Sequence, residues 1–317
     1  MRDRHGREIR YLRLSVTELC NLRCRYCMPE DGVCKKRHED ILTEDEMILA
    51  VEAATSLGIN KIRITGGEPL VKKNILSICR RISAVDGIEE LCLTTNGTLL
   101  APMAQELRDA GVQRVNISLD TLDPVKYEKI TRRGDLSEAI KGLEAALAVG
   151  FRKIKVNSVL IGGFNEDEIQ ALASLTLRYP VDVRFIELMP MQKQDEFGED
   201  AFLPGERVLK TLPQLVKLPY DGSDVRLYRL PDAMGNVGLI SPLSHHFCGK
   251  CDRLRLTADG NIKPCLHSSQ EISIKGLSFE DIKLRFAEAI DAKPACHGAL
   301  SAVDRSEAGR NMNQIGG

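Results

Sequence analysis

The chain has 317 residues, enough for one large core with a smaller unit appended. Its 44 basic and 45 acidic side chains leave a net charge of -1, which excludes a global polycation that binds nucleic acid non-specifically and requires any anion site to be built locally. No stretch approaches the roughly 18 apolar residues of a membrane span, and the charged residues 1–6 precede no apolar region, so a cytoplasmic protein is expected, with its ten cysteines held as thiols or metal ligands rather than disulfides.

The first apolar run, residues 11–16, predicts a strand whose alternation sets Arg13 on one face. Cys20, Cys24 and Cys27 follow it. Three thiolates at this spacing can hold a four-iron cluster and leave one iron without a protein ligand; a ferredoxin adds a fourth cysteine, whereas here Pro29 ends the motif. Thr43 and Glu46 predict a capping box for an Ala- and Leu-rich helix that stops at Gly58. A second strand, 59–65, carries Lys61 and Arg63 on one face and runs into Gly66-Gly67-Glu68-Pro69. Strands at 90–95 and 113–118 end on Thr94-Thr95-Asn96-Gly97 and Ser118-Leu119-Asp120, while Gly111 and Gly150 each follow an apolar helix. The fifth strand, 153–160, carries Lys155; Asn165 with Glu168 predicts another helix start; the sixth, 183–188, closes on Glu187-Leu188-Met189-Pro190.

This alternation of strand and helix predicts a parallel sheet wrapped by helices. The unusual residues fall just after strands, and in a parallel barrel those ends share one rim, where such folds place their active sites. No G-x-G-x-x-G follows the first strand, which counts against a dinucleotide fold.

The polar stretch 192–205 predicts a loop over the barrel mouth that could serve as a lid, and residues 230–241, with their Pro and Gly, mark the approach to a C-terminal unit. The expected boundary lies near Asp221, dividing the chain into residues 1–220 and 221–317. A second thiol triplet follows at Cys248, Cys251 and Cys265. Zinc is the alternative there, with His245, His246 or His267 as a fourth ligand, but the N-terminal triplet favours a second iron-sulfur cluster with an open iron. Cys34, Cys79, Cys92 and Cys296 show no ligand spacing and read as buried or incidental thiols. Arg253 and Arg255 share one face of a strand, a pair of guanidinium forks suited to a polyphosphate or else a solvated face over a leucine core. Asp259-Gly260 predicts a hairpin turn back toward Cys265. The terminal Gly316-Gly317 admits a frayed end, an activated carboxylate, or a thin tail entering the site.

Cys20-x-x-x-Cys24-x-x-Cys27 with Tyr26, together with Gly66-Gly67-Glu68-Pro69, resembles the radical S-adenosylmethionine (SAM) superfamily. Lys155-Val156-Asn157, Arg184-Phe185-Ile186-Glu187-Leu188-Met189, Cys248-x-x-Cys251-Asp252-Arg253-Leu254-Arg255-Leu256, Pro264-Cys265-Leu266 and Ile315-Gly316-Gly317 narrow the resemblance to the GTP 3',8-cyclase family of molybdenum cofactor biosynthesis. The resemblance implies an α/β fold, an incomplete (β/α)6 TIM-type barrel with a C-terminal iron-sulfur unit. It implies two 4Fe-4S clusters, on Cys20, Cys24 and Cys27 and on Cys248, Cys251 and Cys265, with SAM bound by Tyr26, Gly67, Ser118 and Met189. GTP contacts fall on Arg13, Arg63, Thr94, Lys155, Arg253 and Arg255, and no catalytic side chain beyond these ligands is implied.

The implied reaction is that of a lyase. A 5'-deoxyadenosyl radical removes the ribose 3' hydrogen of GTP, which closes to (8S)-3',8-cyclo-7,8-dihydroguanosine 5'-triphosphate. A cyclic pyranopterin monophosphate synthase downstream, an external electron donor and a homodimer come with the same resemblance. The competing readings are another radical SAM enzyme with an auxiliary cluster, such as a peptide maturase, and a non-catalytic iron-sulfur or zinc protein.

Overall fold

The computed structural model describes residues 1–317 except 192–196, 198, 220–224, 299, 301–305 and 317. All six expected strands form, with bounds within two residues of those expected: β1 (Tyr11–Ser15), β2 (Lys61–Thr65), β3 (Glu90–Thr95), β4 (Arg114–Ser118), β5 (Lys153–Leu160) and β6 (Asp182–Glu187). They pair in parallel and in chain order, as the family resemblance implies for a partial barrel. Helices α1 (Glu44–Ser56), α2 (Ile75–Ser83), α3 (Ala104–Asp109), α4 (Pro124–Thr131), α5 (Leu136–Val149), α6 (Ile169–Ala173) and α7 (Leu175–Arg178) connect them.

The two faces of these strands explain the architecture. Leu12, Leu14, Ile62, Ile64, Leu93, Val115, Ile117 and Val156 are fully buried in the hydrophobic layer between sheet and helices. Each such side chain contributes about 1.5–3 kcal/mol through burial. The alternate positions, Arg13, Arg63, Thr94, Asn116 and Lys155, turn to the other face, the barrel interior. α1 begins at the expected capping box: the Thr43 amide donates to Glu46 Oε2 at 2.8 Å and the Glu46 amide to Thr43 Oγ1 at 3.2 Å.

The C-terminal residues add strands on both flanks of the barrel. After α8 (Glu206–Thr211) come β7 (Val216–Lys217), β8 (Arg226–Arg229), β9 (Val237–Ile240), β10 (Arg253–Leu256), β11 (Asn261–Lys263) and β12 (Ile272–Ser273), then α9 (Phe279–Asp291) and α10 (Met312–Ile315). β9 pairs in parallel with β6 and β10 in parallel with β1, so one twelve-stranded sheet runs β12-β11-β10-β1-β2-β3-β4-β5-β6-β9-β8-β7. The Gly- and Pro-marked stretch 230–241 thus holds a barrel-flanking strand that its punctuation hid. The hairpin at Asp259-Gly260 forms as expected, with Gly260 at φ +82° between β10 and β11.

A helical turn, Glu166–Glu168, opens after Asn165 as expected and leads into α6, but the Asn165 side chain does not start it. That side chain caps no helix; it accepts from the Ile161 amide at 2.9 Å and donates to the carbonyls of Asp120 at 2.7 Å and Val159 at 2.8 Å, clamping the ends of β4 and β5 together. Glu168 likewise reaches across to the Leu122 amide at 2.8 Å rather than back to its own helix start. The expected boundary at Asp221, and residues 192–196 and 198 of the expected lid, lie outside the described residues. No helix among the described residues is long and apolar enough to cross a membrane.

Candidate active site

The barrel interior encloses a cavity of about 810 Å³, and every site residue expected from the sequence lines it. Cys20, Cys24, Cys27 and Tyr26 reach it from the loop after β1, Gly67 from the loop after β2, Ser118 from the end of β4 and Met189 from the loop after β6. Arg13, Arg63, Thr94 and Lys155 come from strands β1, β2, β3 and β5, and Arg253 and Arg255 from β10. Cys248, Cys251 and Cys265 close the wall on the C-terminal side.

The loop bearing the first triplet is zipped to the loop after β2. The Gly67 amide donates to the Thr17 carbonyl and the Glu68 amide to the Leu19 carbonyl, both at 2.8 Å. A Cβ on Gly67 would stand 2.3 Å from the Leu19 carbonyl oxygen and 2.7 Å from that of Glu18. The missing side chain therefore makes room for the cysteine loop itself. Glu68, buried at 1% exposure, accepts from Thr95 Oγ1 at 2.8 Å and the Asn96 amide at 2.7 Å and so joins that loop to β3. Burial raises its carboxyl to about 7.

Burial raises the Cys20 thiol to about 11 and the Cys27 thiol to about 12, and it moves Cys24 in the same direction. Three converging soft donors whose ionisation burial opposes fit a metal group that supplies the positive charge. At Cys248 and Cys251 burial also opposes ionisation, yet Lys293 and Arg253 bring Cys251 below its ordinary value. Of the histidines considered as zinc ligands there, His245 turns to Glu206 at 2.7 Å and His246 bonds the Pro242 carbonyl at 2.9 Å, while His267 lines the cavity with its Nδ1 3.0 Å from Ser306 Oγ.

Strand register builds the anion site. Arg255, Arg13 and Arg63 are direct partners across β10, β1 and β2, a row of guanidiniums on three neighbouring strands. Arg63 Nε donates to the Tyr11 hydroxyl and Nη1 to Thr94 Oγ1 at 3.4 Å. Burial, then Arg13 and Arg253, drive Arg255 well below its ordinary value, a cost that a bound polyanion relieves. Burial, then Arg184, Arg63 and Arg114, lower Lys155 to about 7.

A proton linkage follows for Lys155. Above about pH 7 the free side chain is neutral, a bound polyanion draws it back to the ammonium form, and affinity therefore falls as pH rises. Calorimetric titration with inorganic triphosphate at about pH 8, in two buffers of different ionisation heat, is expected to show uptake of about one proton. Lys155→Met is expected to abolish that uptake and weaken binding by about 1.5–3 kcal/mol. Buffer-independent heats would contradict the assignment.

Several contributors escaped sequence reasoning. Asp120 accepts from the Tyr26 hydroxyl at 2.7 Å and from the Val159 amide at 2.8 Å, orienting Tyr26; burial raises its carboxyl to about 6. Arg114 and Asn116 line the cavity from β4 and Arg184 from β6. Their alternation with Ser118 and Ile186 was the available signal. Glu187, 1% exposed, accepts from the amides of Gly205 at 2.9 Å and of Leu243 and Ser244 at 3.0 Å, tying the C-terminal loop to the end of β6. Cys79 and Cys92 are buried and Cys34 is exposed, as expected of thiols outside the site. Cys296, exposed, gathers with His246 and His297, their donor atoms within 4.8 Å of one another.

A parallel barrel carrying a thiol triplet just after its first strand defines a radical SAM protein, and the Radical SAM superfamily domain matches residues 14–176, with a Molybdenum Cofactor Synthesis C domain over 181–299. Across its length the chain belongs to the GTP 3',8-cyclase family. It is 47% identical over 321 residues to the GTP 3',8-cyclase of Alkaliphilus oremlandii (strain OhILAs), spanning 100% of both chains. To that of Peptoclostridium acidaminophilum it is 48% identical over 320 residues, spanning 99% of this chain and 98% of the other. In fold it is similar to the crystal structure of Streptococcus suis SuiB bound to S-adenosylmethionine, with a TM-score of 0.65 and 16% identity over 86% of this chain and 64% of that one.

Proposed function

We propose that this chain is a lyase that converts GTP to (8S)-3',8-cyclo-7,8-dihydroguanosine 5'-triphosphate for molybdenum cofactor biosynthesis. The observation that carries the reading is the convergence of two thiol triplets and the Arg255-Arg13-Arg63 row on one cavity. Cys20, Cys24 and Cys27 would hold the first 4Fe-4S cluster and Cys248, Cys251 and Cys265 a second. When bound, the first supplies the electron that cleaves SAM to a 5'-deoxyadenosyl radical.

The chain's own side chains bind and position. Tyr26, fixed by Asp120, with Gly67, Ser118 and Met189 would form the SAM wall. Arg13, Arg63, Lys155, Arg253 and Arg255 would neutralise the triphosphate, with Thr94 a neutral hydroxyl among them, because a buried polyanion needs several charge-assisted partners. In this reading residues 1–220 generate the radical and 221–317 complete the nucleotide site. An external electron donor, a cyclic pyranopterin monophosphate synthase as consumer of the product, and a homodimeric assembly belong to the same proposal.

Anaerobic reconstitution with iron and sulfide is expected to yield two clusters per chain. GTP is expected to perturb the paramagnetic signal of one cluster and SAM that of the other, and Cys251→Ala should remove only the GTP-sensitive signal. Zinc at the second triplet, or a protein whose signals ignore GTP, would overturn the reading.

A further inference from the structure

Lys293 follows α9 and is 3% exposed. Its ammonium donates to the carbonyls of Arg253 at 2.7 Å and Pro264 at 2.9 Å. Both acceptors adjoin the second triplet: Arg253 lies two residues after Cys251, and Pro264 precedes Cys265. The same side chain lines the cavity together with Cys251 and Cys265. Among the described residues no carboxylate pairs with Lys293. A buried ammonium whose partners are neutral carbonyls is stabilised by a nearby anion, and a thiolate-held cluster at the second triplet would supply one.

The segment is locked from the other side. Arg7, itself buried and paired with Asp3 at 2.6 Å, donates to the carbonyls of Cys248 at 2.7 Å, Pro294 at 2.7 Å and Ala295 at 3.3 Å. The turn bearing Lys293 and the turn bearing Cys248 are thereby fastened to the same guanidinium.

We propose that Lys293 is a positioning residue for the second cluster: its ammonium, fixed by the carbonyls of Arg253 and Pro264, holds a positive charge beside that cluster and raises its reduction potential. The proposal rests on reading Cys248, Cys251 and Cys265 as cluster ligands. A fixed positive charge beside a cluster favours its reduced form.

The test is a redox titration of the reconstituted protein followed by electron paramagnetic resonance. Lys293→Met, close in volume and uncharged, is expected to shift the second cluster to a more negative potential and leave the first unmoved, with Lys293→Arg restoring most of the shift. Lys293→Gln carries the same expectation should the methionine variant fail to fold. Lys263, 0% exposed in the same unit but paired with Glu271 at 3.2 Å, is the control, and Lys263→Met is expected to lower stability without moving either potential. An unmoved potential in folded Lys293→Met or Lys293→Gln, or an equal shift in Lys263→Met, overturns the proposal. A wild-type protein with only the first cluster's signal overturns the second-cluster reading itself, a result distinct from a second cluster indifferent to Lys293.

Discussion

Gly67→Ala is expected to cost the protein its first cluster. The added methyl would stand 2.3 Å from the Leu19 carbonyl oxygen and 2.6 Å from the Leu19 carbonyl carbon, backbone atoms that cannot rotate aside. Relief requires breaking the paired bonds from Gly67 to Thr17 and from Glu68 to Leu19, which set the loop leading into Cys20. Overpacking of this kind costs about 1–3 kcal/mol, well short of unfolding a chain this size, so the damage falls on the loop. The expected result is a folded protein with about half the wild-type iron and SAM cleavage down at least about 100-fold, since small misplacements of reacting groups carry losses of that order. Anaerobic iron analysis and deoxyadenosine yield measure both. Wild-type iron loading with normal SAM cleavage would show that the close approach at Gly67 does not order the cysteine loop.

The second large effect is expected at the tail. Arg255 Nη1 donates to the Ile315 carbonyl at 3.1 Å and to that of Gly316, which places the buried tail against a cavity-lining guanidinium. Gly316 has φ +73°, a conformation that penalises side chains, and a Cβ there would stand 2.3 Å from Thr65 Oγ1. Upstream, Arg310 meets Asp259 at 3.0 Å and Glu271 at 2.5 Å, and Asn313 Nδ2 donates to the Glu18 carbonyl at 2.9 Å, two residues before Cys20. Through Gly316 the tail is anchored, not frayed. Gly316→Val is expected to retain iron and SAM cleavage while cyclised product falls about 100-fold, the signature of radical formation uncoupled from a correctly placed nucleotide. Residues appended after Gly317 should act in the same direction. Undiminished product yield from Gly316→Val, measured with the clusters loaded, would remove the tail from the account.

The extent to which this was legible in the sequence follows from which interactions are local. Strand alternation identified β1 to β6 because one face packs on helices and the other does not; Leu12 and Leu14 against Arg13 is enough to read. Thiol spacing and the post-strand positions of Ser118 and Gly67 located the rim. What stayed hidden is long-range. That β9 joins β6 and β10 joins β1 depends on pairings 54 and 242 residues apart, taking Val183 with Val237 and Tyr11 with Arg253, which no window of sequence carries. Cys296 lacks ligand spacing yet arrives beside His246 and His297. Asn165 reads as a helix cap until the loops after β4 and β5 come within reach of its amide.

In the proposed function both triplets serve one reaction on one nucleotide in the shared cavity. The most direct measurement is a single turnover of fully reconstituted protein with GTP deuterated at the ribose 3' position, analysed by mass spectrometry of the deoxyadenosine formed. One deuterium per deoxyadenosine, with cyclised triphosphate in matching amount, is the expected result; deoxyadenosine without deuterium alongside unchanged GTP would contradict it.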